Sequence, residues 1–125
     1  MNRLKDIPLL FQPGERWSYS YTVDVQAAAL EKITGTTLGN YLKQNIFTPL
    51  GMVHSGYDSN RAVIPGAATG YYSRGTDFIT ATWSDPSVRF GASGIVSTVG
   101  DLLHWDQALY TERLVSRRTL DEIFT

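Results

Sequence analysis

Phe11-Gln12-Pro13-Gly14-Glu15-Arg16-Trp17-Ser18-Tyr19-Ser20-Tyr21 is the stretch on which the reading of this chain turns. Gln12-Pro13-Gly14-Glu15 spells a type II turn, with Gly14 supplying the positive φ. Trp17 to Tyr21 is dense in aromatic rings and hydroxyls. A tyrosine immediately before a helix can place its phenol at the helix N-terminus, where positive partial charge favours the phenolate. Free tyrosine has a pKa near 10 and is a poor base at neutral pH, so such help matters, and a nearby lysine would add to it. The plainer role of a tyrosine at a loop–helix junction is packing or capping.

Downstream the pattern turns helical from Thr22 to Thr34. Val23, Ala27, Leu30 and Ile33 fall at spacings of 4, 3 and 3, one face of a helix. Gly35 stands where a left-handed residue would stop it. A second helix is expected over Leu38 to Phe47, with Thr37 as N-cap and Pro49 as terminator. Its inner stripe is Leu38, Tyr41, Leu42, Asn45 and Ile46, with only Asn45 polar. So short a link predicts a helical hairpin.

Residues 50–96 differ in kind. They are rich in Gly, Ser, Thr and Tyr, with Pro65 and Pro86, and short extended pieces are expected at Gly70 to Tyr72 and Phe78 to Thr82. Long ordered loops rather than a regular sheet follow, and such loops are uncommon unless they shape a site. A third helix should begin near Thr98, where Thr98-Val99-Gly100-Asp101 fits a capping box with Asp in the Glu position. Leu102, Trp105 and Leu109 then share a face, and a fourth helix starts at Ser116. Leu120, Ile123 and Phe124 read as a helix still in progress where the chain stops. Of the three tryptophans, Trp17 and Trp105 are expected in a core or subdomain interface.

Composition bounds the function. The chain has 125 residues, net charge -1, 42% hydrophobic residues, 18% charged residues and no cysteine. One domain's worth of ordered chain is implied. No basic excess points to nucleic acid or an anionic membrane. The missing cysteine removes disulfides, zinc–thiolate sites and a thiol nucleophile. Arg3, Lys5 and Asp6 are followed by no apolar run of signal-peptide type, and no stretch approaches membrane-spanning length. The compartment stays open between cytoplasm and periplasm. His54 and His104 have no partner at ligand spacing, so no metal is implied. No glycine-rich phosphate loop occurs.

The segment Phe11 to Ser20 resembles the one carrying the Tyr-x-Asn motif of the serine β-lactamase class C superfamily, which also holds penicillin-binding-protein-like enzymes and family VIII carboxylesterases. The likeness continues through the helix Val23 to Ile33 with Thr34-Gly35. It extends to Ile46-Phe47-Thr48-Pro49-Leu50-Gly51-Met52, then to Gly91-Ala92-Ser93-Gly94-Ile95-Val96-Ser97-Thr98 with Asp101-Leu102. The resemblance implies a serine of Ser-x-x-Lys attacking an ester or lactam carbonyl, with Tyr19 at the position of the tyrosine that shares the proton work with the lysine. It implies Tyr21, Ser93 and Gly94 as lining of the substrate cleft. No metal or organic cofactor is implied.

Two departures carry weight. The third motif residue is Tyr21, and a phenol does not reproduce the donor and acceptor of the asparagine carboxamide. This favours esters over β-lactams. Ser93 is small where class C lactamases commonly carry an aromatic, so the cleft wall is more open; Gly91 to Gly94 reads equally well as a plain tight turn.

The nucleophile motif is absent. The only lysines are Lys5, Lys32 and Lys43, and three residues before them stand Asn2, Ala29 and Asn40. Lys-Thr-Gly is missing too. Lys32-Ile33-Thr34-Gly35 is a helix end, and His54-Ser55-Gly56 fits His-x-Gly but sits at the wrong place in the chain order.

The expectation is therefore a mainly α chain with long loops and a few short strands, the helical portion of the β-lactamase/transpeptidase-like α+β fold, incomplete within these residues. Its parts are residues 1–21 (opening segment and tyrosine motif), 22–49 (helical hairpin), 50–96 (site-shaping loops) and 97–125 (C-terminal helices). The parent would be a serine hydrolase, an esterase working through an acyl-enzyme on a small-molecule ester or β-lactam. The chain alone would be inactive and homo-oligomeric. The alternatives are a truncated helical interaction module and a penicillin-binding or β-lactam-hydrolysing relative.

Overall fold

Helix α1 spans Thr22–Thr34, the range its periodicity predicts. Gly35 ends it in the left-handed conformation (φ 69°) and returns its N–H to Glu31 O, the αL cap a glycine allows without a Cβ penalty. The computed structural model describes residues 6–58, 63–81 and 90–125. Arg3, Lys5, Thr82 and Pro86, which figure in the sequence expectations, lie outside the described residues, as does the third tryptophan, Trp83.

Thr37 caps the second helix as expected, its hydroxyl accepting from Asn40 N at 3.3 Å. The helix then departs from the prediction. Residues Leu38–Leu42 are α-helical (α2), Lys43–Phe47 widen into a π-turn, and Thr48–Leu50 resume the α form (α3). Pro49 is not the terminator. It sits in the first turn of α3, where a missing N–H costs nothing. Gly51 ends the helix instead, with φ 71°. Asn45, expected on the inner stripe, is exposed and donates from Nδ2 to Tyr41 O at 2.9 Å.

The widened turn brings Phe47 and Leu50 onto the core side. These two join Met52 and Ala108 as the buried cluster, flanked by half-buried Leu42, Ile46, Trp105 and Leu114. Met52 N donates back to Phe47 O at 2.8 Å. Arg113 Nη2 donates to Pro49 O at 2.6 Å, tying the chain after Ala108 to α3. Trp105 packs as expected. Trp17 does not, being 83% exposed, and Ile33 is 84% exposed on the face of α1 assigned inward. Among the described residues no element covers either side chain.

Strands are few and short. β1 (Gly56–Tyr57) pairs antiparallel with β4 (Ile95–Val96), and β2 (Tyr71–Arg74) pairs with β3 (Asp77–Thr80). The β2–β3 hairpin closes through Gly75 at φ 66° in the first central position, as a type II′ hairpin demands. Two separate pairs, with no regular sheet among the described residues, agree with the loop-rich reading.

Helix α4 (Val99–Ala108) is capped by Thr98, whose Oγ1 accepts from Asp101 N at 3.2 Å. The capping box is only half made, because the Asp101 carboxylate turns to His54 and Ser55 instead. Helix α5 (Arg117–Phe124) follows Ser116, the expected start, which serves as its N-cap, and it buries Leu120, leaving Ile123 and Phe124 exposed.

Candidate active site

The tyrosine motif enters through the turn read from the sequence. Glu15 N donates to Gln12 O at 3.1 Å, Gly14 has φ 90°, and Gln12 N donates to Glu15 Oε2. The chain then runs without regular structure to Tyr21, which occupies the N-cap position of α1 and makes no side-chain cap bond. Tyr19 lies two residues before it. Both phenols face outward, Tyr19 at 88% exposure and Tyr21 at 79%. The Tyr19 ring meets Trp17 edge-on at 6.3 Å.

Ser93 and Gly94 belong to a different surface. Residues Phe90 to Ser93 form a tight turn closed by Ser93 N donating to Phe90 O at 3.1 Å. Gly94 follows at φ 102°, and its carbonyl accepts from Asp58 N at 2.6 Å. The turn also walls a cavity of about 530 Å³ between α1, α2 and β4, whose apolar side includes Ala27, Leu30, Leu38 and Leu42. The tight-turn reading of Gly91 to Gly94 matches the observed backbone. Ser93 and Gly94 line this cavity; Tyr19 and Tyr21 are not among its lining residues.

The first turn of α1, which follows Tyr21, meets the glycine turn. Gly91 is pressed onto the helix so closely that a Cβ would stand 2.3 Å from Val23 O and 2.7 Å from Ala27 Cβ. Ala92 N donates to Asp24 Oδ1 at 3.4 Å. The helix that begins directly after the tyrosine motif is thus docked onto the glycine turn.

Tyr57 holds the turn from the other side. Its hydroxyl donates to Phe90 O at 2.7 Å, and its ring lies where a Cβ on Gly94 would meet it at 3.0 Å. Burial first, then the charges of Asp24 and Glu31, push the phenol above its ordinary pKa, which keeps it a donor. No local pattern in the sequence marks Tyr57, so the sequence expectations do not include it.

His54-Ser55-Gly56 is structural. Asp101 is only 4% exposed, and its Oδ2 accepts from His54 N at 2.8 Å and Ser55 Oγ at 2.7 Å. With its proton given to Asp101, the Ser55 oxygen accepts from Ser97 at 2.8 Å. Burial raises the Asp101 pKa, but the bonds from Ser55 and His54 and the His54 ring outweigh it and leave the carboxyl below its ordinary value. Among the described residues no group of three or more His, Cys, Asp or Glu could hold a metal, and no helix is long and apolar enough to cross a membrane.

A family model described as Beta-lactamase matches residues 1–124. The chain belongs to the beta-lactamase family. Among its relatives, the penicillin-binding-protein-like PbpX of Bacillus subtilis is 32% identical over 126 residues, covering 98% of this chain and 32% of PbpX. The esterase EstB of Burkholderia gladioli is 39% identical over 59 residues, 47% of this chain and 15% of EstB. Among solved structures, a penicillin-binding protein from Bacillus halodurans superposes with a TM-score of 0.82 at 25% identity, over 94% of this chain and 37% of that one. The chain spans about a third of PbpX. The helix-rich fold with few short strands thus matches part of the β-lactamase/transpeptidase-like fold, as the resemblance implies.

Proposed function

We propose that this chain supplies the tyrosine motif and one cleft wall of a serine hydrolase that cleaves small-molecule esters through an acyl-enzyme. The observation that carries the reading is the docking of Gly91 and Ala92 onto the first turn of α1, which ties the cleft-wall turn to the helix that starts after Tyr19 and Tyr21. Family membership across residues 1–124 supports it. Tyr19 is the proposed base, and its exposure leaves the phenol accessible to a substrate. Tyr21, Ser93 and Gly94 are the proposed lining. Tyr21 in place of asparagine, together with the likeness to EstB, favours esters.

Residues 1–125 hold no Ser-x-x-Lys, so the chain alone is proposed to be inactive. Its exposed apolar side chains, among them Leu9, Leu10, Trp17 and Phe124, favour self-association. The same missing motif supports a second reading, a helical interaction module without catalysis. The likeness to PbpX supports a third, penicillin binding.

The test is turnover of a short-chain p-nitrophenyl ester by the hydrolase that contains this sequence, with fluorophosphonate labelling of its serine. Turnover blocked by the fluorophosphonate supports the proposal. Labelling by a fluorescent penicillin without ester turnover favours the penicillin-binding reading, and no reaction with either favours the module. Ester hydrolysis by the 125-residue chain above a heat-denatured control would overturn its proposed inactivity.

A further inference from the structure

The glycine turn is held from two sides by residues outside it. From β1, Tyr57 donates to Phe90 O at 2.7 Å and lays its ring under Gly94. From α1, Asp24 accepts from Ala92 N at 3.4 Å. Tyr57 is itself backed by α2, where a Cβ on Gly39 would stand 3.0 Å from Tyr57 Cβ. Tyr57 pairs with Ile95 across the short β1–β4 ladder, so its ring cannot slide along the strand without breaking that pair.

The chemistry of each contact suits positioning. Phe90 O receives two donors, Ser93 N and Tyr57 Oη, which fixes the direction of the peptide that opens the turn. Gly94 at φ 102° adopts a conformation that side chains rarely take. The absent Cβ leaves room for the Tyr57 ring. Gly91 has no space for a Cβ against Val23 O. The turn is therefore held by named groups on α1 and β1, with α2 standing behind Tyr57.

We propose that Tyr57 and Asp24 are positioning residues that set the Ser93–Gly94 wall of the substrate cleft relative to the helix following Tyr19. For what the wall does, this rests on the hydrolase reading above; for how the wall is held, it stands on the contacts alone. Neither residue touches the reacting atoms in this proposal. They act through the turn, so their loss changes how well substrate is seated more than how fast the seated substrate reacts.

The test has two arms. In the 125-residue chain, amide hydrogen exchange is followed by NMR in Tyr57→Phe, which keeps the ring and removes the hydroxyl. The Ser93 amide is expected to exchange about threefold to tenfold faster, the factor an ordinary net hydrogen bond carries. The Leu102 amide, bonded to Thr98 O in α4, is the unchanged reference. Should Tyr57→Phe fail to fold, the Asp24 pair decides: Asp24→Ala is expected to speed Ala92 exchange, and Asp24→Asn, which keeps an acceptor, to restore it. Exchange within about twofold of wild type in the folded variant would overturn the proposal, since a net hydrogen bond is worth more than that.

In the hydrolase containing this sequence, Tyr57→Phe is expected to raise KM for the p-nitrophenyl ester by about threefold to tenfold while kcat holds within about twofold. An unchanged KM, or a fall in kcat alone, would overturn the role assigned to the wall. A wild-type enzyme without ester turnover counts against the hydrolase reading only, and the exchange arm then decides how the turn is held.

Discussion

Asp101 accepts the Ser55 hydroxyl at 2.7 Å across 46 positions of sequence. The same carboxylate oxygen takes His54 N at 2.8 Å, so one side chain at the start of α4 fixes the approach to β1. Because β1 carries Tyr57, this latch lies one step behind the positioning of the glycine turn.

The latch makes stability depend on acid. Asp101 titrates below its ordinary value in the fold because the hydrogen bonds outweigh its burial. A depressed carboxylate stabilises fully above its unfolded pKa, and that contribution is lost as pH falls through the folded one. The melting temperature is therefore expected to hold from neutral pH down to about 4 and to drop below it. Asp101→Asn should melt lower at pH 7 and show a flatter acid limb. Thermal unfolding by circular dichroism between neutral and acid pH checks both, and an identical acid limb in the two proteins would remove Asp101 from the explanation.

Gly91 should tolerate no side chain. Gly91→Ala is expected to cost about 1–3 kcal/mol, the range for overpacking a filled site, because Val23 O and Ala27 Cβ occupy the space. Gly56→Ala meets nothing within 4 Å and should change stability by less than about 0.5 kcal/mol, as open positions do. Urea unfolding of the two variants side by side makes the comparison.

The caps are separable from the core. Thr98→Ala removes the acceptor for Asp101 N and is expected to cost about 1 kcal/mol. Leu120→Ala, at a side chain only 3% exposed, should cost about 2 kcal/mol or more. Equal losses from both, read by urea denaturation, would mean that α5 is docked more loosely than its buried leucine implies.

Tyr19→Phe addresses the chemistry. In the proposed hydrolase, with Tyr19 as the proposed base, loss of the phenolic oxygen should lower kcat on a p-nitrophenyl ester by about a hundredfold or more. Near-normal turnover would assign the base to another residue.

Local signals in the sequence were legible where one residue decides one backbone conformation. Gly35 stops α1, and Thr37, Thr98 and Ser116 cap their helices as hydroxyl acceptors do. Gly14 turns the chain before the tyrosine motif. The signals that failed depend on distant partners. Asp101 satisfies the local capping pattern, yet its carboxylate is claimed by residues 46 and 47 positions away. Tyr57 is one tyrosine among seven, and only the fold places it under Gly94. Trp17 has the composition of a core residue but no partner surface among the described residues. Pro49 is a helix breaker by rule, and it is tolerated because the turn before it widens and α3 begins anew.

That widened turn has a consequence for chain length. A π-turn encloses one more residue than the α-turn it replaces. Residues Lys43–Phe47 therefore hold a slack of one residue between two helical flanks. Deletion of one residue here returns the turn to α-helical spacing with α2 and the Phe47–Leu50–Met52 cluster kept near their places, so relatives shorter by a single residue should lack it here rather than in the tightly capped turns on either side.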